Sequence, residues 1–113
     1  MTLLVPFDGT ELSAAAVERA TEFAEFRGED VVALTVVPND PEYALSRNWV
    51  DPNEPFDPDA IAERFGDRVA DIAPRAEYRY EIPDDVSSMA SITTDITRTI
   101  RAVANELDVS VIF

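Results

Sequence analysis

Residues 31–37, Val-Val-Ala-Leu-Thr-Val-Val, form a near-continuous run of β-branched and aliphatic side chains that Pro38 closes. A strand with one wet face alternates apolar and polar residues. This run does not, so it is expected to be covered on both faces, as strands of parallel sheets are. Parallel neighbours need a crossover connection, and the preceding residues supply one. Leu3-Leu4-Val5-Pro6-Phe7 reads as a buried strand that ends in the turn Asp8-Gly9-Thr10. Thr10 can cap a helix in which Leu12, Ala16, Ala20, Phe23 and Ala24 recur at helical spacing, and Gly28 stands where a C-terminal cap belongs. The result is a βαβ unit.

From Pro38 to Pro58 five prolines interrupt the pattern, among Asn39, Asp40, Asn48, Asp51 and Asn53. Tyr43, Leu45, Trp49, Val50 and Phe56 cannot all stay in water, so this stretch is expected to be a long loop with a short helical piece, folded back as a cover. Asp57-Pro58 then supplies an N-cap followed by proline at the first helical position, and Ile61, Phe65, Val69 and Ile72 share one face of the helix that follows. Ala76, Tyr78, Tyr80 and Ile82 alternate with Arg75, Glu77, Arg79 and Glu81, the mark of a half-exposed strand at a sheet edge. A last helix carries Ile92, Ile96, Ile100, Val103, Ala104 and Leu107, and Val109 to Phe113 reads as a fourth strand. Left as an apolar edge, that strand is expected to pair with a second chain or to lie under the Tyr43–Phe56 loop. The order β-α-β-loop-α-β-α-β predicts one α/β domain over residues 1–113, a three-layer sandwich with an open parallel sheet.

Charge narrows the function. The 113 residues hold 23 acids against nine bases, every base is arginine, and lysine, histidine and cysteine are absent. That composition excludes Ser-His-Asp and Cys-His nucleophiles, Schiff-base lysines, a P-loop lysine and Cys/His zinc sites. The net charge of −14 suits a surface kept soluble in high salt, where the Debye length falls to about 3 Å at 1 M. Nine dispersed arginines are not expected to assemble a basic patch, so neither nucleic acid nor anionic lipid is an expected partner. No apolar run approaches the ~18 residues of a membrane span, and the expected location is the cytoplasm.

In open α/β sheets ligands bind beyond the carboxyl ends of the strands, which singles out Asp8, Gly9 and Thr10. Asp8 and Glu11 disfavour phosphate there; Asp8 is better suited to accept a hydrogen bond from a ribose hydroxyl or an amino group. The alternative is that Asp8 only shapes the turn and caps the helix. Asp51, Asn53, Asp57 and Asp59 fail the calcium-loop pattern, because Phe56 and Ala62 stand where glycine and glutamate are needed. Asp84-Asp85 does not make a phospho-receiver site, which also needs a lysine. No metal site and no catalytic residue is expected.

Val5-Pro6-Phe7-Asp8-Gly9-Thr10-Glu11-Leu12-Ser13, with the alanine-rich helix, the valine-rich second strand and Asp108-Val109-Ser110-Val111-Ile112, resembles the N-terminal half of the universal stress protein family. The resemblance implies the adenine nucleotide alpha hydrolase-like sheet, of order 3-2-1-4-5 in the family and 3-2-1-4 here with the fifth strand missing, and a dimer. It also implies that adenine and ribose, from ATP or AMP, meet Asp8, Gly9 and Thr10, with Pro6 shaping the loop and Val36 contributing at the end of the second strand. The family's phosphate loop, G-x2-G-x9-G-[ST], would begin where this sequence stops at Phe113, so the triphosphate cradle is expected to be missing. The leading expectation is a non-catalytic, nucleotide-sensing stress-response homodimer; the alternative is a ligand-free dimeric interaction or adaptor module. An ATP-cleaving relative is disfavoured, because Phe7-Asp8-Gly9-Thr10 lacks a glycine-rich S-G-G-x-D-S motif.

Overall fold

The computed structural model describes residues 2–83, 89–109 and 111–112. In chain order these form β1 (Thr2–Pro6), α1 (Glu11–Arg27), β2 (Asp30–Val36), α2 (Pro41–Ser46), α3 (Pro58–Ile72), β3 (Glu77–Glu81), α4 (Met89–Leu107) and β4 (Val111–Ile112). The strands make one parallel sheet of order β3-β2-β1-β4, with Leu3 opposite Val31 and Val111, and Val32 opposite Glu77. This is the predicted α/β architecture, and β3 takes the predicted edge. Ser110, Phe113 and the Asp84-Asp85 pair lie outside the described residues.

Two cores explain why β2 does not alternate. On one face Leu3, Val5, Val31 and Ala33 pack with Val17, Ala20 and Ala24 of α1 and Val69 of α3. On the other, Leu4, Val32, Leu34 and Val36 meet Val103 and Ala104 of α4. Each large aliphatic side chain so buried contributes roughly 1.5–3 kcal/mol relative to exposure.

The predicted face of α1 holds at Ala16, Ala20 and Ala24, which pack against the sheet, and fails at Leu12 and Phe23. Its sheet side is Val17, Ala20 and Ala24, whereas Leu12 is 83% exposed, Phe23 45% and Phe26 91%. Small residues let the helix axis approach the sheet closely, and the larger apolar side chains are left on the outer surface.

Caps fix where the chain turns. Thr10 accepts a hydrogen bond from the Ser13 amide at the start of α1, and Gly28 takes a left-handed φ of 68° at its end. Among the described residues, Asn48 and Asp108 are the non-glycine residues with left-handed φ, at 59° and 51°. Both close Schellman motifs: Trp49 N donates to Ala44 O and Asn48 N to Leu45 O after α2, and Val109 N donates to Ala104 O and Asp108 N to Asn105 O after α4.

The 38–58 segment is the predicted cover with a short helix. Its Ala44, Trp49, Val50 and Phe56 join Val37, Ile61 and Ala62 in a third cluster, toward α3 and Ile82. At the β3 edge Tyr78 packs over α3 so closely that a Cβ on Gly66 would lie 2.8 Å from its ring. The Tyr78 hydroxyl donates to Ala62 O at 2.6 Å, and burial pushes its pKa up to about 12. Arg79, on the opposite face, bridges Glu81 and Glu106 of α4.

Candidate functional site

The carboxyl ends of β1 and β2 open onto two adjoining cavities, and Asp8, Arg47 and Trp49 line both. Phe7 extends the β1 ladder by donating its amide to Leu34 O at 2.7 Å, while the buried Thr35 hydroxyl donates to Phe7 O at 2.9 Å. Those two bonds hold the chain straight up to Asp8. Gly9 then turns it with φ of 85°, in a space where a Cβ would meet the Phe65 ring at 2.8 Å.

The Asp8 carboxylate is anchored at both oxygens. Oδ1 accepts from the Thr10 hydroxyl at 2.6 Å and the Thr10 amide at 3.1 Å, and Oδ2 accepts from Arg47 Nη2 at 2.8 Å. Burial alone pushes its pKa up. Hydrogen bonding by Thr10 and Ser13 and the Arg47 charge outweigh that, and the carboxyl ends below its ordinary value. Asp8 therefore does shape the turn, while Thr10 is the cap; the carboxylate remains half-exposed, with lone pairs free for a further donor.

The five predicted site residues divide between the cavities. Pro6, Asp8 and Val36 line the smaller one, of about 280 Å³, with walls from Leu34, Tyr43 and Ile100. Asp8, Gly9 and Thr10 line the larger one, of about 480 Å³. Both volumes are of the scale of small-molecule sites, which span roughly 300–1,000 Å³. Aromatic side chains form the floor. Tyr43, Trp49, Phe65 and Phe7 contact one another edge-to-face in sequence, with centroids 5.5, 5.4 and 5.8 Å apart.

The larger cavity overturns one expectation. Three of the nine arginines, Arg47, Arg64 and Arg68, converge on it, so a basic patch does assemble. Arg64 Nη2 donates to Trp49 O at 2.8 Å and Arg68 Nη1 to Gly9 O at 2.6 Å. Arg68 stacks 5.4 Å from the Phe7 ring centroid, and Arg47 lies 6.0 Å from that of Trp49. Only the i, i+4 spacing of Arg64 and Arg68 along α3 hinted at this in sequence. Of the residues that fail the calcium-loop pattern, two serve the fold: Asp57 caps α3, and Asp59 accepts from the Tyr80 hydroxyl.

The universal stress protein family model matches residues 1–113. Among solved structures, a universal stress protein in complex with cAMP is 20% identical, with 86% of this chain and 70% of that one covered and a TM-score of 0.46. A universal stress protein family member from Burkholderia pseudomallei is 18% identical, with 91% and 74% covered and a TM-score of 0.51, a likeness of fold. No curated protein matches the chain.

Proposed function

The chain belongs to the universal stress protein family, and from that membership we propose that it is a non-catalytic stress-response protein whose strand-tip site takes an adenine nucleotide. The observation that carries this reading is the smaller cavity. It offers apolar walls from Leu34, Val36 and Ile100 to a flat base, the Trp49 and Tyr43 rings beside them, and one anchored carboxylate at the rim. Asp8 accepts from a ribose hydroxyl, Pro6 fixes the strand end, Gly9 makes the turn, and Thr10 and Arg47 hold the carboxylate in position. The absence of lysine, histidine and cysteine from the sequence supports a binding rather than a catalytic role.

Calorimetric titration with adenosine tests the reading. Saturable binding is expected, and Asp8→Asn should weaken it about tenfold, the effect of losing a charged acceptor. No binding of adenosine by the intact chain would overturn it.

The reading extends to a single-domain homodimer in a salt-rich cytoplasm. The outward Leu12, Phe23 and Phe26 on α1 support self-association, since antiparallel pairing of two such helices sets Leu12 of one copy against Phe26 of the other and Glu11 near Arg27.

A further inference from the structure

We propose that Arg47, Arg64 and Arg68 form an anion subsite that takes the phosphate groups of the nucleotide whose base and sugar occupy the adjoining cavity. The ligand's nucleoside half rests on the reading above; the anion subsite has its own evidence.

That evidence is a charge imbalance. Acids outnumber bases 23 to nine in this chain, so a carboxylate partner is the ordinary fate of an arginine. Arg27, Arg47, Arg75, Arg79 and Arg98 have one. Arg19, Arg64, Arg68 and Arg101 make no ion pair among the described residues, and of these Arg64 and Arg68 line one cavity together, their bonds going to the backbone carbonyls of Trp49 and Gly9. A carbonyl positions a guanidinium without neutralising it. The larger cavity is thus lined by three guanidinium groups against the single carboxylate of Asp8. A phosphate bearing one or two negative charges matches what is left uncompensated, and planar guanidinium forks suit its oxygens.

The supports are rigid in the right way. Arg64 and Arg68 stand one turn apart on α3, and each is tied at one nitrogen, leaving further N–H donors for a ligand. Arg47 sits on the wall shared by the two cavities, paired to Asp8. A nucleoside with its sugar at Asp8 would therefore place a 5′ substituent toward the arginines.

The test is calorimetry on the intact chain with adenosine, AMP, ATP and inorganic pyrophosphate, using wild type, the double variant Arg64→Gln/Arg68→Gln, and Arg64→Lys/Arg68→Lys. Circular dichroism accompanies each variant. ATP is expected to bind about tenfold or more tightly than adenosine. The glutamine pair should erase that gain and leave adenosine affinity unchanged, and the lysine pair should keep part of it. Equal wild-type affinity for ATP and adenosine, a gain that survives the glutamine pair, or equal loss of both ligands in that pair would each overturn the subsite. Pyrophosphate binding that depends on Arg64 and Arg68, without any adenosine binding, would uphold the anion subsite and overturn the nucleoside reading alone. Silence toward all four ligands would overturn both.

Discussion

Arg47 and Asp8, 39 positions apart in sequence, meet with Nη2 2.8 Å from Oδ2 on the wall between the two cavities. The pair ties the turn after β1 to the end of α2. Because the folded pKa of Asp8 lies below its ordinary 3.8, its ionised form favours the fold above that value. This stabilisation is lost as pH falls from there through the lower folded value. Both side chains are more than a third exposed, so solvent limits the pair to about 0–1 kcal/mol. Arg47→Met is expected to raise the Asp8 pKa and to begin acid unfolding at a higher pH, as read by carboxyl-carbon NMR and circular dichroism.

Gly66 on α3 lies directly against the Tyr78 ring of β3. With a Cβ only 2.8 Å from the Tyr78 ring, Gly66→Ala is expected to cost about 1–3 kcal/mol in urea unfolding, although alanine is the better helix former. Combined with Tyr78→Leu, the same change should cost measurably less than the sum of the two alone.

Asn48, with φ of 59°, is the residue that lets Arg47 and Trp49 both face the site. Asn48→Gly is expected to be near neutral. Asn48→Val should cost about 1–2 kcal/mol, the usual price of a left-handed conformation, and should weaken adenosine binding along with stability. Chemical denaturation and calorimetry check the two effects separately.

Much of this architecture is readable along the chain. The unbroken apolar run at 31–37 announces a strand covered on both faces, Thr10 and Gly28 mark the ends of α1, and the alternation from Ala76 to Ile82 marks an edge. The phase of α1 is harder to read, because two apolar stripes compete in it. Leu12 and Phe23 carry the larger side chains, yet the sheet selects Val17, Ala20 and Ala24 for close approach. The arginine cluster left still less trace. Arg47 ends α2 just before the left-handed Asn48, and beyond the i, i+4 spacing of Arg64 and Arg68 on α3 no local pattern records that Arg47 shares their hollow.

The outward stripe on α1 carries its own expectation. Leu12→Glu/Phe26→Glu should convert a dimer to a monomer in sedimentation equilibrium, with less than about 0.5 kcal/mol change in the stability of each protomer, since both side chains are exposed. A wild-type chain that sediments as a monomer would remove the dimer.

With a net charge of −14, the folded surface repels itself, and added salt should screen it. The thermal midpoint is expected to rise between about 0.1 and 1 M potassium chloride, where the Debye length shrinks from roughly 10 to 3 Å. A midpoint indifferent to salt would count against the high-salt setting.

The chain has a single tryptophan, and it is Trp49, wedged between Tyr43 and Phe65 on the wall common to both hollows. Its fluorescence is therefore a built-in reporter. An occupant of either compartment changes the polarity around the one indole that emits, so occupancy can be followed by ultraviolet-excited fluorescence without a label, a tag or an altered residue.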